Sequence, residues 1–334
     1  MLFANKLKKG DTIAFFSPSS PATVFAPKRF KRAVEFFRDK GFHLIEGNLT
    51  GKSDFYRSGS IIERAEELNS LIRNPEVQCI ISTIGGMNSN SILPYIDYDA
   101  LVKHPKIIIG YSDVTALLLG IYAKTGLTTY YGPALVASFG EFSPYLDMTY
   151  EYFCDILIEE NKPPFTLKTP PFWTDEYISW EEQDRAKNQN ENKLVTLNQG
   201  VVKGRVIGGN LNTMTGIWSS PYMPEIKKGD ILFIEDCLSH ISGVERDFSL
   251  LKLCGVFDRV GGIILGKHEI FKDANTGRKP YDVLMEVIGT PKCPILAEFD
   301  CSHMHPMLTL PLGCEIELDA TKQKVTLLSD WIKP

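Results

Sequence analysis

The residues best placed to do chemistry stand at a corner of the chain. In "KIIIGYSDVTALLLGIY", Lys106 to Tyr122, a buried-strand pattern (Ile107, Ile108, Ile109) gives way to an apolar helix (Ala116 to Tyr122). Gly110, Tyr111, Ser112 and Asp113 make the turn between them. A serine there has two readings. As an N-cap, its hydroxyl bonds a free amide of the first helical turn, a job that Asp113 does equally well. As a nucleophile at a strand-to-helix elbow, its Oγ is pushed out of the sheet edge, where the amides of the helix start can bind an oxyanion. The usual elbow reads G-x-S-x-G, and this one reads G-Y-S-D.

A nucleophilic serine needs a base and a group that orients the base. The chain has six histidines. His43 opens a strand, His104 precedes a proline, and His240 and His268 follow strand ends. His303 and His305 lie in "EFDCSHMHPMLTLPLG", just after an apolar strand. This H-x-H pair beside Asp300 and Cys301 invites a zinc reading, but no third ligand has a recognisable spacing. A metal is therefore not expected, and serine chemistry of this kind requires no organic cofactor. Glu235 ends the hydrophobic strand of "DILFIEDC". A carboxylate there either pairs with an arginine such as Arg246 or orients a base. In the second case the order along the chain is Ser, Glu, His.

Such groups meet only if strand tips converge. Residues 1–135 alternate strand and helix: "TIAFFSPSS", a helix through Phe30, Ala33, Val34 and Phe37 closed by Gly41, "HLIEG", a helix in "SIIERAEELNSLIRNPEV", "CIISTIGG" and "KIIIGYS". Strands without polar alternation fit a parallel sheet covered on both faces. The expected first domain, residues 1–160, is therefore α/β, with a flavodoxin- or Rossmann-like parallel sheet and helices on both faces. Ligands in such sheets sit beyond the carboxyl ends of the strands, which brings Ser17 to Ser20, Gly85, Gly86 and Ser112 to one edge. Residues 161–200, rich in proline, aromatics and charge, read as a linker with a flexible excursion. From Val201 short strands dominate, broken by helices near Gly243 to Cys254 and Tyr281 to Ile288. Residues 201–334 are expected to form a mainly β, barrel-like domain.

Bulk properties exclude other classes. The chain has 334 residues, 43% hydrophobic and 23% charged, with a net charge of −5. That balance gives no reason to expect nucleic acid or an anionic membrane as partner. Seven cysteines without a C-x-x-C pair suit reduced thiols in a cytoplasmic protein. A lysine pair and Gly-Asp precede any long apolar run and no apolar run reaches about 18 residues, so neither a secretory leader nor a membrane span is expected.

Several segments in order resemble the LD-carboxypeptidase family of serine peptidases, and within it the microcin C immunity branch. They are "LKKGDTIAFFSPSSP", "STIGGMNSNSILPYIDY", "GYSDVTALLLGIYAKTGLTTYYGP", "VIGGNLNTMTGIWSSPYMP", "DILFIEDC" and "HPMLTLPLG". The resemblance implies a Ser-His-Glu triad at Ser112, His303 and Glu235, with oxyanion amides from Gly86 and Asp113. It also implies a homodimer. The family's F-G-H-T-x-P is "CSHMHP" here, so counting three back from Pro306 selects His303. A two-residue slip would select His305.

The resemblance offers two substrate classes. One is the murein tetrapeptide with its terminal D-alanine. The other is microcin C and its processed aminoacyl-nucleotide, cut at the amide joining an aspartate to the adenylate-like moiety. The second needs a surface for a purine. The excursion "PFWTDEYISWEEQDR" carries Trp173, Tyr177 and Trp180, and the immunity branch stacks a tryptophan of this loop, here Trp180, on the nucleotide. Without the resemblance these aromatics are simply pins for a long loop. Three further positions are weaker substrate candidates: Gly85, Asn210 in the "GGNL" turn, and Lys267 in "GKHEIF". A catalytically silent protein that sequesters a peptide-nucleotide is the reading from another functional class.

Overall fold

The computed structural model describes residues 1–333. Its first sheet has six strands. β1 (Thr12–Phe16), β2 (His43–Glu46), β3 (Val77–Ser82), β4 (Ile107–Gly110) and β5 (Thr129–Tyr131) run parallel in the order β5-β4-β3-β1-β2. Every residue of β4 and β5 is buried, which is why neither shows polar alternation. The sixth strand comes from far along the chain. Leu310–Leu312 pairs antiparallel with β5 at the sheet's edge.

Local chemistry sets the helix boundaries between these strands. Ser60 and Glu63 form a reciprocal capping box at the start of Ile61–Arg73. Thr115–Thr125 stops at Gly126, whose φ of 70° is the left-handed cap that glycine adopts without strain.

The second sheet has eight strands, in the order Phe165–Thr166, Lys324–Leu327, Glu315–Asp319, Val201–Asn210, Ile231–Glu235, Gly262–Gly266, Ile295–Phe299, Val195–Asn198. Its central four run parallel, and the helix Ile241–Leu253 links the second of them to the third. The helix Pro280–Ile288 lies between the third and the fourth. This half is thus more α/β than its short strands alone imply. The sheet still curls toward a barrel: Thr196 Oγ1 donates to Ala320 O, and Gln323 Nε2 donates to Leu194 O, so the last strand meets the turn near the other edge. Buried side chains of both sheets form one contiguous core.

Residues 161–200 are not the flexible excursion that their composition implies. Thr174 exchanges two backbone hydrogen bonds with His305, at 2.9 and 3.2 Å. Gln183 is buried and accepts from Arg29 Nη1 at 2.6 Å. Its amide also donates to Glu141 Oε1. The polar groups of this loop have buried partners only when the loop is docked, and that docking orders it.

Candidate active site

The carboxyl ends of β3 and β4 and of the strands ending at Asn210 and Glu235 open on a cleft of about 610 Å³. Gly85, Gly86, Ser112, Trp180, Asn210 and His303 all line it. These are six of the candidate positions read from the sequence.

Ser112 has φ +62°, a conformation that a non-glycine residue adopts only when its surroundings impose it. Tyr111 before it is extended, and a short 3-10 turn, Ser112–Val114, leads into the helix. No side chain caps this helix start, so the capping reading of Ser112 fails. Asp113 is employed elsewhere. Its Oδ2 accepts from the amides of Asn88 and Ser89, both at 2.9 Å, and so fastens the "IGGMNS" turn to the corner. Ser19 Oγ accepts from Met87 N on the same turn.

The two glycines keep that turn open. Gly86 has φ +146°, and a Cβ there would lie 2.2 Å from Ser19 Oγ. A Cβ on Gly85 would lie 3.0 Å from Asp113 N and 3.1 Å from Ser112 Oγ. A side chain at Gly85 would therefore crowd the serine hydroxyl and the Asp113 amide, and glycine leaves both unobstructed from that side.

Glu235 faces this corner from the second sheet, fully buried. Its Oε2 meets His303 Nδ1 at 2.6 Å, while Oε1 accepts from Tyr131 Oη at 2.5 Å and from Asn210 Nδ2 at 3.0 Å. The alternative partner, Arg246, is exposed and instead pairs with the buried Asp247. Burial pushes the Glu235 carboxyl up, but His303 and the donated hydrogen bonds bring it below its ordinary value. Burial alone would lower the His303 ring. Cys237 and the anionic Glu235 outweigh it and hold the ring well above its usual value. Tyr111 packs edge-on against the imidazole at 4.8 Å.

His305 occupies a different niche. Its Nε2 lies 3.6 Å from Glu141, which also binds Arg29 Nη2 at 2.9 Å and Lys187 Nζ at 3.5 Å. Burial, with Lys187 and Arg29 nearby, pushes His305 down to about 3. The same Arg29 guanidinium sits 4.7 Å from the centre of the Trp180 ring. Trp180 is half-buried against Ala22, Ala26 and Val136, with Phe25 at 6.0 Å. Asp236 and Glu269 add carboxylates to the cleft lining, and Lys187 adds its ammonium group.

Two sequence candidates change role here. Lys267 is not brought to the cleft. It is buried and spent on Asp300 Oδ1 at 2.5 Å and on the carbonyl of Glu298, beneath the Trp173 ring. Asn210 does line the cleft, but its amide is committed to Glu235 and, at 3.3 Å, to Asp236. Tyr131, Glu141, Arg29 and Gln183 went unrecognised in the sequence, where each reads as an ordinary strand, loop or helix residue. Asp236 had one signal, its place beside Glu235 at a strand tip. Among the described residues no group of three His, Cys, Asp or Glu side chains is placed to hold a metal ion. No helix among them is long and apolar enough to cross a membrane.

The family descriptions of the LD-carboxypeptidase N-terminal and C-terminal domains match residues 13–132 and 203–318. The chain belongs to the LD-carboxypeptidase family. It is a serine-type carboxypeptidase by that membership, with its two matched domains meeting at the cleft. A Vibrio cholerae protein provisionally named a carboxypeptidase is 59% identical over 100% of this chain and 99% of its own. The microcin C7 self-immunity protein MccF of Escherichia coli is 56% identical over 99% of this chain and 97% of its own. The solved structure of MccF bound to aspartyl sulfamoyl adenosine matches with a TM-score of 0.98, at 56% identity, and covers 100% of both chains.

Proposed function

We propose that this LD-carboxypeptidase hydrolyses the amide between an aminoacyl group, such as aspartyl, and a nucleotide moiety, and so inactivates microcin C-like compounds. One observation carries the chemistry: Ser112, the Asp113 corner and His303, which Glu235 holds by Nδ1, line the same cleft. In this reading His303 Nε2 takes the proton of Ser112 Oγ, which attacks the amide carbonyl carbon. The oxygen becomes an oxyanion held by the amides of Gly86 and Asp113. His303 then protonates the leaving nitrogen as the C–N bond breaks. A water attacks the resulting ester with His303 as base, and the Ser112 Oγ–acyl bond breaks as His303 returns that proton to Oγ and the carboxylate leaves. Glu235 holds the ring by Nδ1 and stabilises the imidazolium.

The substrate class rests on the Trp180 ring in the cleft and on the aspartyl sulfamoyl adenosine seen in MccF. A purine stacked on an indole is worth roughly 1–3 kcal/mol. Asp236 and Glu269 suit the ammonium group of an aminoacyl substrate. Turnover of aspartyl sulfamoyl adenosine and of a murein tetrapeptide, with products identified by mass spectrometry, tests the proposal. Multiple turnovers on the nucleotide substrate support it. Cleavage of the tetrapeptide alone moves the assignment to cell-wall recycling, and product release limited to one equivalent makes the protein a sequestering binder.

A further inference from the structure

The two halves of the proposed triad come from different sheets, and a single hydroxyl touches both. Tyr131 ends β5, in register with Gly110 on one side and with Leu310 on the other. It is fully buried. Its Oη accepts from the backbone amide of Ser112 at 3.2 Å and lies 2.5 Å from Glu235 Oε1. A phenol has one proton. Since the Ser112 amide can only donate, that proton goes to the carboxylate, and the hydrogen-bond directions are fixed. The Ser112 amide is thereby committed to Tyr131, leaving the oxyanion to Gly86 and Asp113.

The surrounding structure is shaped to admit this ring. Gly209 has φ +155°, and a Cβ there would lie 3.1 Å from Tyr131 Cε2 and 2.7 Å from Thr115 Cγ2. Gly209 of "VIGGN" thus serves the approach of Tyr131 and Thr115, while Gly208 makes room for the Phe233 carbonyl. Thr115 Oγ1 in turn accepts from Asn210 N at 3.0 Å, and Asn210 supplies the second donor to Glu235 Oε1. Phe233 packs edge-on against the Tyr131 ring at 5.2 Å.

We propose that Tyr131 is a positioning residue for the reaction: its hydroxyl ties the positive-φ corner of Ser112 to Glu235, so nucleophile and base are held in register across the two sheets. This deepens the serine-hydrolase reading and rests on it. Tyr131 touches no substrate in this scheme. It acts through the Ser112 backbone and through the carboxylate that aims His303.

Tyr131→Phe keeps the ring and removes the hydroxyl. With aspartyl sulfamoyl adenosine as substrate, kcat should fall about 10- to 100-fold, the size of one lost hydrogen bond to a charged group. KM should stay within about threefold. The pH profile gives a readout that a purely structural role does not move. Without the donated proton the carboxylate is more basic, so the Glu235–His303 pair keeps its proton to higher pH. The ascending limb of kcat/KM should then move up by roughly one pH unit. The other titratable groups around the pair, Tyr111, Asp236, Cys237, His268, Glu269, Cys301 and His305, are untouched by the substitution. Binding of adenosine monophosphate, followed by calorimetry, should match the parent. Parent-like kcat with an unmoved limb overturns the proposal, provided that Ser112→Ala is inactive in the same assay. Loss of the fold or of nucleotide binding makes Tyr131 structural and overturns it as well. Turnover by Ser112→Ala overturns the serine reading beneath it, and the proposal with it.

Discussion

Two buried carboxylates each face one histidine of "HMH", and they set those rings in opposite states. Glu235 accepts from neutral donors, Tyr131 and Asn210, and its ion-pair partner among the described residues is His303, whose ring also feels Cys237. The ring is held above its usual value in consequence. Glu141 already has Arg29 and Lys187. A third cation is not wanted there, and His305 falls to about 3. The same residue pair, Glu beside His, yields a proton-holding couple at one site and a neutral ring at the other. Burial lowers both rings; Cys237 and Glu235 overcome it at His303, whereas Lys187 and Arg29 add to it at His305.

The largest effect should come from the corner. Ser112→Ala removes one oxygen, and turnover should drop at least about a thousandfold while nucleotide binding persists. Residual activity above a few per cent in a clean preparation would return Ser112 to a turn residue.

The carboxylate of the second niche is the next test. Glu141→Gln leaves Arg29 and Lys187 buried without their anion, which should cost about 3–5 kcal/mol of stability, read from urea midpoints. Burial pushes Glu141 up, but His305, Arg29 and Lys187 bring it to about 2, below its ordinary 4.5. Its contribution is therefore full above about pH 4.5 and is lost as pH falls toward 2. The gap between parent and variant should close over that window. A constant gap down to pH 3 would mean that packing, not charge, is lost.

Trp180→Leu keeps bulk against Ala22, Ala26 and Val136 but removes the indole face. KM for aspartyl sulfamoyl adenosine should rise about 5- to 150-fold, the equivalent of roughly 1–3 kcal/mol of stacking. A small acyl substrate without a base should be nearly unaffected. Equal losses on both would show that Trp180 shapes the catalytic pocket itself.

The last test sets the smallest expected effect, at His305, beside a large one at His303. His303→Ala should be as inactive as Ser112→Ala, whereas His305→Ala should keep kcat within about tenfold. With a base raised by Glu235, the ascending limb of kcat/KM should lie above the usual imidazole value near 6.5. A dead His305 variant beside an active His303 variant would reverse the assignment of the two niches.

Much of the first niche was legible because local pattern carries it. A strand turning sharply into a helix marks Ser112, paired glycines mark the turn at Gly85 and Gly86, and a carboxylate at a strand tip marks Glu235. The second niche was not legible. Arg29, Glu141 and Gln183 meet across sequence separations of 112, 154 and 42 residues, and nothing in their own segments announces the meeting. Lys267 misled for a similar reason: the position after a strand is usually solvated, but Asp300 lies 33 residues on and takes its charge. The loop around Trp180 looked mobile because its composition is polar. The polar groups proved to be its anchors.

The strand Leu310–Leu312, which closes the edge of the first sheet, ties the timing of assembly to the far end of the chain. At roughly 5–20 residues per second a ribosome reaches it only after tens of seconds. Until then the β5 edge has no neighbour, and a fragment stopping short of Leu310 would present Thr129–Tyr131 as an open template to other strands. The nascent protein thus carries its serine corner long before it carries Glu235, His303 and the strand that braces Tyr131. In the proposed reading, hydrolytic competence waits for the segment that brings Glu235, His303 and Leu310–Leu312.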